Sequence, residues 1–260
     1  MNFEIKKKWQ KLKNILGVSL SFAKANFKVR NEGSHLGILW YLLEPLLFLF
    51  IILSIRGLAI TEEIEFYPVY LFLGLIMFNF FMNVTNIATN SIQSNSKFVK
   101  NTTLSRESLV IAIPFQFILS HIIEITVLVI LMLIYKVSLA TLIFYPFIFL
   151  ALLIFTLGIS FILATLGVFI NDLKNLWAVF TRLLWFATPI YYAANFKGSI
   201  SIINYLNPLT HFLNIARDVV IYQKSHFLVE YLLIITLSLI FLLIGIFAFE
   251  KYKSKFAEEM

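Results

Sequence analysis

Long apolar runs constrain the fold of this chain more than any other feature of its sequence. They cover residues 38–60, 67–89, 109–134, 142–170, 174–193 and 228–249. A helix needs about 20 apolar residues to cross the ~30 Å hydrocarbon layer of a bilayer, and each run is of that order or longer. The runs are continuous rather than alternating, which argues against a transmembrane β-barrel. The sequence therefore predicts an all-α integral membrane protein with six transmembrane helices.

The composition agrees with a membrane location. Of the 260 residues, 60% are hydrophobic and only 13% are charged, whereas soluble domains keep about a quarter of their residues charged. The net charge of +7 is concentrated beside the apolar runs, which favours anionic membrane lipids over nucleic acid as its partner. The chain has 0 cysteines, so neither a disulfide nor a thiolate metal site is expected.

The basic residues indicate how the chain is oriented in the membrane. With the N-terminus in the cytoplasm, most of the 21 lysines and arginines fall in cytoplasmic segments. The opposite side holds Arg56, Lys136, Lys197, Arg217 and Lys224. This bias follows the positive-inside rule. We therefore expect a multi-pass protein of the cytoplasmic (inner) membrane with both termini in the cytoplasm.

Residues 1–30 are predicted to form an amphipathic helix at the membrane interface. Apolar side chains recur there at spacings of three and four, the period of one helix face. This face consists of Ile5, Trp9, Leu12, Leu16, Leu20, Ala23 and Phe27. Lysines occupy much of the remaining surface, which is typical of a helix lying along the inner leaflet. Residues 31–260 would then form the transmembrane domain.

Ionisable side chains within the apolar runs are the first candidates for function, because each costs about 3 kcal/mol at the centre of a bilayer. Glu44, followed by the helix-disturbing Pro45, lies in the first run, and Arg182 lies at a comparable depth in the fifth. They either line a polar route or form a buried pair that fixes helix packing. His121 and Glu124 share one face of the third run. A structural role is favoured for them, since a proton relay needs further partners in other spans.

Two polar segments between the runs are too long for plain turns. Residues 90–108 carry Phe98 and Val99 among basic residues, and we expect a short helix there that docks into a partner's groove. Residues 193–224 are expected to contain short re-entrant helices. The chain lacks a phosphate-binding loop, a paired-aspartate motif and a histidine cluster that could bind a metal. No cofactor is therefore expected on this chain.

Four motifs, in order along the chain, resemble the membrane subunit of ABC-type exporters of cell-envelope polysaccharides, which carry O-antigen, capsule or teichoic acid. They are Gly37-Ile38-Leu39-Trp40 before Pro45, Val168-Phe169-Ile170-Asn171-Asp172, Thr188-Pro189-Ile190-Tyr191-Tyr192, and Asn204-Tyr205-Leu206-Asn207-Pro208-Leu209. The resemblance covers nearly the whole chain. One departure is Asn171, which stands where the family often has arginine.

The resemblance implies a homodimeric channel with two copies of a separate ATPase subunit below it, and ATP and magnesium bound by that subunit. The substrate would be a polysaccharide on an undecaprenyl or related lipid. The segment 90–108 would couple to the ATPase, and the segment 194–215 would form outer gating helices. The coupling residues would be Asn95, Ser96, Lys97, Phe98, Val99 and Lys100, and the outer gate would include Tyr192, Asn207 and Pro208.

The resemblance also implies that the first and fifth spans line the channel. Its residues would be Trp40, Tyr41, Glu44, Phe48, Arg182, Trp185 and Tyr191. The anionic lipid diphosphate should first meet basic groups near the inner leaflet, and Lys24, Lys28 and Arg30 are the candidates.

Three other functions stay open at this point. The same scaffold could export a small lipid or a drug. A secondary transporter could use His121 and Glu124 for proton coupling. An enzyme acting on polyprenyl lipids is least favoured, because it should show clustered acidic or histidine residues at one membrane face.

Overall fold

The computed structural model describes residues 3–32, 35–59, 64–101, 105–193, 199–224 and 228–259. These residues form helices and connecting turns without a strand. The helices are α1 (Phe3–Asn31), α2 (Trp40–Ala59), α3 (Tyr67–Ala88), α4 (Ser96–Asn101), α5 (Glu107–Ile134), α6 (Tyr145–Phe169), α7 (Leu173–Phe186), α8 (Ser199–Leu206), α9 (Pro208–Val220) and α10 (Leu228–Tyr252). Residues 102–104 of the expected coupling segment and 194–198 of the expected gating segment lie outside the described ranges.

The all-α membrane class is confirmed, but the count of six full spans is not. In the described part of the chain, four segments are long and apolar enough to cross a membrane: Tyr67–Ala88, Glu107–Ile134, Ala140–Phe169 and Leu228–Ala257. The first predicted span is the 20-residue α2, whose apolar part, Trp40–Ile55, is shorter. It follows a 3-10 turn, Gly37–Leu39, that begins at a glycine with a positive φ of 47°.

The fifth predicted span, residues 174–193, is wrong in its last seven residues. Helix α7 has 14 residues and ends at Phe186, which at 1.5 Å per residue is about 21 Å. Pro189 explains the early end, because proline has no N–H for a helical hydrogen bond and disfavours helical geometry in the residue before it. Residues 187–193 continue as irregular backbone.

Helix α3 is the centre of the bundle. Its side chains are buried almost continuously from Val69 to Phe78, and α2, α5, α6, α7 and α9 all pack against it. This burial explains why α3 is apolar on every face from Val69 to Phe78, as expected for a helix section enclosed by others. Helix α10 lies at the edge instead, with few buried side chains.

In the described part of the chain, helices α6 and α10 share the most extensive helix–helix packing. An added Cβ at Gly158 would lie 2.5 Å from the backbone nitrogen of Leu242, and Gly245 packs against the Gly158 carbonyl. Ser238 donates a hydrogen bond to the Ala151 carbonyl at 2.7 Å. Small residues let membrane helices approach backbone to backbone, which gives dispersion contacts that lipid cannot replace.

Helix α1 packs along α5 with one side, whereas most of its predicted membrane face remains exposed. Ser19 and Ala23 are buried, and Ser108 donates a hydrogen bond to the Ile15 carbonyl at 3.3 Å. Most of the predicted membrane face stays exposed, including Trp9 (66% exposed) and Leu20 (48%). Since only the Ala23 edge of this face is buried among the described side chains, the rest of the apolar stripe stays available to contact lipid.

The glycine contact gives a testable prediction about stability. We expect Gly158→Ala to lower the unfolding temperature of the detergent-purified protein, because overpacking a close contact costs about 1–3 kcal/mol. Gly17 is the matched control, because an added Cβ there meets no atom within 4 Å. Gly17→Ala should keep or raise the unfolding temperature, since alanine favours the helix. Equal unfolding temperatures for the two variants would contradict the contact.

Candidate functional site

An open groove lies between α2, α3 and α7 and has a volume of about 250 Å³. Its walls combine charged, amide and aromatic side chains: Glu44, Phe48, Leu75, Asn79, Met82, Arg182, Trp185 and Phe186. Four residues expected to line a channel, Glu44, Phe48, Arg182 and Trp185, therefore meet in one place. Such a surface offers hydrogen bonds and flat apolar faces together.

The two charges of the groove lie on the outside of a single protomer. Both Glu44 and Arg182 are exposed, and no ion pair joins them within the described chain. The buried pair considered from the sequence is therefore not what the structure contains. Charged side chains facing hydrocarbon are unfavourable by several kcal/mol. This face of α2 and α7 must therefore meet water or protein rather than lipid.

Glu44 and Asn79 also line a second, enclosed space of about 20 Å³. Arg30, Tyr41, Ser120 and Glu124 belong to it, and Asn83, Pro45, Phe80 and Phe117 complete the lining. The hydroxyl groups of Tyr41 and Ser120 are buried without a protein partner. The space fits one water molecule, which could bond both hydroxyls. Tyr41 therefore lines this small cavity and not the open groove.

His121 and Glu124 of α5 form a buried hydrogen-bonded cluster with Tyr145 of α6. The His121 Nδ1 lies 3.0 Å from a carboxylate oxygen of Glu124, and its Nε2 lies 2.8 Å from the Tyr145 hydroxyl. The imidazole stacks on Phe149 with 4.1 Å between ring centroids. Every polar atom of the imidazole has a partner here, as a structural role requires.

The bundle end that carries α8 and α9, which we call the capped end, is held by hydrogen bonds to irregular backbone. Asn207 Nδ2 donates to the Thr188 hydroxyl at 2.8 Å, and Asn207 Oδ1 accepts from the Leu209 N–H at 3.0 Å. This N-cap, with Pro208 at the first helical position, starts α9. Tyr192 donates to Asn204 Oδ1 at 3.0 Å. The residues expected at the outer gate therefore meet in one tightly bonded cluster.

Arg217 is the centre of the capped end, and sequence reasoning missed its role. It is 2% exposed and donates to the carbonyls of Pro189 at 2.6 Å and Ile190 at 2.8 Å. Its guanidinium lies 3.5 Å from the ring centroid of Tyr70. An added Cβ at Gly74 would lie 2.5 Å from the guanidinium, so a glycine is needed there.

Tyrosine hydroxyls from several helices complete the capped end. Tyr67 donates to the Tyr191 carbonyl at 2.8 Å, and Tyr70 donates to the Tyr192 carbonyl at 2.9 Å. Tyr191 stacks on Trp185 with 5.2 Å between centroids, next to the groove. Burial raises the pKa of Tyr222 to about 12, so its hydroxyl stays protonated as a hydrogen-bond donor.

The residues expected at the inner face lie at the other end of the bundle. Lys97, Phe98 and Lys100 of α4 are exposed, and Val99 is buried. Asn95 and Ser96, at the start of this helix, are partly exposed. On α1, Lys24 and Lys28 are exposed, and Lys28 lies 3.4 Å from Glu32. Arg30 differs from these lysines because it contacts the Tyr41 and Phe117 rings.

One polar signal in the sequence could have located part of the site. Asn79, Asn83 and Asn86 recur at spacings of four and three in the second apolar run, so they share one helix face. Asn79 lines the groove and the small cavity, and Asn86 lies 3.4 Å from the Thr181 hydroxyl of α7. The asparagine face of α3 therefore points toward α2 and α7.

Trp40, which was expected to line the channel, lies at the start of α2 and is 49% exposed.

Comparison with known proteins gives consistent matches over most of the chain. Residues 20–221 match the ABC-2 type transporter membrane family. An O-antigen export system permease protein RfbA of Klebsiella pneumoniae is 30% identical over 237 residues, covering 90% of this chain and 91% of the relative. The RfbA protein of Myxococcus xanthus is 21% identical over 248 residues, covering 94% and 95%.

The buried arginine gives a prediction about the capped end. Arg217→Lys should lower the unfolding temperature, because an ammonium cannot bond both carbonyls and lie flat on Tyr70. Hydrogen bonds of charged groups contribute about 1.5–3 kcal/mol each. Asp218→Asn is the control, since its partner Lys224 is 59% exposed and such pairs contribute little. If both variants unfold at the wild-type temperature, Arg217 does not stabilise this end.

Proposed function

Since this chain belongs to the ABC-2 type transporter membrane family, we propose that two copies of it form the channel of an ATP-driven polysaccharide exporter. The chain is the membrane component of such a transporter and not its ATPase. The proposed cargo is a lipid-linked polysaccharide of the O-antigen class. The names of the relatives from Klebsiella and Myxococcus support this cargo.

The exposed charges of the groove carry the proposal. Glu44 and Arg182 lie within membrane helices but on the protomer surface, where lipid would be an unfavourable neighbour. A second copy related by a two-fold axis would cover this face and enclose a polar path, since most soluble and membrane homo-oligomers are closed by symmetry. In such a dimer each protomer supplies half of the channel wall.

The side chains of the groove suit a sliding polymer. Sugars carry hydroxyl groups along their edges and apolar C–H groups on their faces, so amide, charged and aromatic side chains can each contact them. Asn79, Arg182 and Trp185 supply these three kinds of surface. Many weak contacts let a polymer move on, as conduction requires sites that bind weakly enough to release.

The proposed partners fit the inner end of the bundle, where α4 and the basic residues of α1 lie. An ATPase subunit, two copies per channel with ATP and magnesium bound to it, would dock at exposed α4. The anionic undecaprenyl diphosphate would approach Lys24, Lys28 and Arg30 from the inner leaflet. Both termini would then be cytoplasmic, as the distribution of basic residues predicts.

The other candidate functions have less support from the geometry. Proton coupling through His121 and Glu124 is disfavoured, because the imidazole is fully bonded between α5 and α6 and lies outside the open groove. Export of a small lipid or drug has less support, because the relatives are named as O-antigen export permeases.

Neutralising the charges of Glu44 and Arg182 tests whether the groove is part of the transport path. Glu44→Gln and Arg182→Gln should each lower the polysaccharide that reaches the cell surface by up to about tenfold, or about 1.4 kcal/mol. The double variant should be no worse than the product of the two effects. Glu230→Gln, at the exposed start of α10, is the control. Wild-type surface polysaccharide in both single variants would remove this pair from the path.

Cysteine labelling tests whether the groove is hydrated. The chain has 0 cysteines, so Phe48→Cys introduces a single thiol into the groove. Phe247→Cys, on α10 at a side chain that is 69% exposed, is the control for a surface that faces lipid. In membranes, a charged maleimide should label Phe48→Cys several times faster, because thiolate forms only in water. Equal rates would show that the groove is not hydrated, which would contradict a polar path there.

A further inference from the structure

Helix α4 is too short to hold its position alone. It has six residues, Ser96–Asn101, whereas isolated helices shorter than about 12 residues are marginal. Val99 fixes it to the bundle, because this side chain is 5% exposed. Phe98 makes an edge contact with Phe22 of α1 at 5.4 Å between centroids. The position of α4 therefore depends on the surface beneath Val99.

That surface is supplied in part by the C-terminal end of the chain. We call the 3-10 segment Lys253–Ala257 the C-terminal clasp, and α4 packs directly against it. Phe256 is completely buried and contacts Phe249 edge to face at 5.2 Å between centroids. Val99, Phe249 and Phe256 belong to one apolar cluster with residues of α5 and α6.

Polar contacts tie the clasp to the start of α5. Lys253 Nζ lies 2.8 Å from a carboxylate oxygen of Glu107 and 2.6 Å from one of Glu250. Arg106 donates a hydrogen bond to the Lys253 carbonyl. The Glu107 side chain is 14% exposed and that of Lys253 is 28% exposed, so solvent screens this pair less than a surface pair.

The clasp therefore joins the end of α10 to α4 and to the start of α5, which lie far from it in sequence. It contacts α4, holds the first residues of α5, and continues α10, which packs along α6 through Gly158 and Gly245. A displacement of α4 cannot occur without moving the ends of α5 and α10, since close-packed surfaces transmit strain.

We propose that the C-terminal clasp couples α4 to the transmembrane helices, with Lys253 and Phe256 as its positioning residues. This inference rests on the proposed function, in which an ATPase acts on α4. The clasp itself does not bind nucleotide or cargo. It converts a movement of α4 into a joint movement of α5 and α10, one next to the groove helices and the other packed on α6.

The test measures ATP hydrolysis and export for the same variants. The permease is co-expressed with its ATPase, phosphate release is measured on the purified complex, and surface polysaccharide is measured on the cells. We expect Lys253→Ala to lower export about tenfold, within the usual range of coupling effects, while hydrolysis and co-purification stay within about twofold. Lys253→Arg should keep both activities, because arginine can still bond both carboxylates.

Lys255→Ala is the matched control, since Lys255 lies in the same segment and is exposed. It should keep the wild-type ratio of export to hydrolysis. Equal ratios in Lys253→Ala and Lys255→Ala would overturn the inference.

If Lys253→Ala does not accumulate in the membrane, Glu107→Gln decides, because it removes the ion pair and keeps the side-chain volume. A lowered ratio in Glu107→Gln supports coupling, and an unchanged ratio overturns it. A wild-type complex that exports no polysaccharide would contradict the proposed function instead, so the two failures are distinct.

Discussion

Every charged side chain that a protein carries into a bilayer needs a partner there, and this constraint organises the whole fold. Arg217 meets two backbone carbonyls and a tyrosine ring. Glu124 meets His121. Glu44 and Arg182 are different, because the protomer leaves both on its surface beside a groove. The first two solutions complete a stable subunit, and the third leaves a surface that only water or another protein can satisfy. The charges that have partners within the subunit therefore mark its packed scaffold. The two membrane charges without such partners in the described chain, Glu44 and Arg182, mark the proposed transport path.

The scaffold and the path are also mechanically different. The part of helix α3 from Val69 to Phe78 is buried, and α6 and α10 touch through their backbones. Around the groove, by contrast, α2 and α7 each present one side to α3 and the other outward, with exposed aromatic and aliphatic side chains such as Phe48 and Leu183. Close-packed elements move as units and resist deformation. We therefore expect α3, α6 and α10 to move together as one unit, with rearrangement between this unit and α2, α7 and a partner.

Much of this architecture could be predicted from the sequence, and the failures have physical causes. The length of the apolar runs predicts the long helices, because the thickness of the bilayer sets a minimum length for a helix that spans it. The short helix α4 and the Asn207 cap follow from local signals, a polar segment around Phe98 and the Asn-Pro pair. The end of α7 was missed because an apolar run shows where lipid-compatible residues lie, not where the helix stops. The role of Arg217 could not be predicted, because its partners are carbonyl groups, and every residue has one. The clasp depends on contacts between Glu107 and Lys253, which are far apart in sequence.

The early end of α7 has a consequence for energetics. A helix of about 21 Å leaves roughly a third of the ~30 Å hydrocarbon thickness to be bordered by residues 187–193 and the short helices after them. Irregular backbone at that depth is tolerated only beside protein or water. Here that backbone lies beside protein, because Tyr67, Tyr70 and Arg217 donate hydrogen bonds to the carbonyls of residues 189–192. Side chains of α3 and α9 therefore replace the helical hydrogen bonds that a longer α7 would have made, and this wall of the bundle depends on three residues distant from it in sequence.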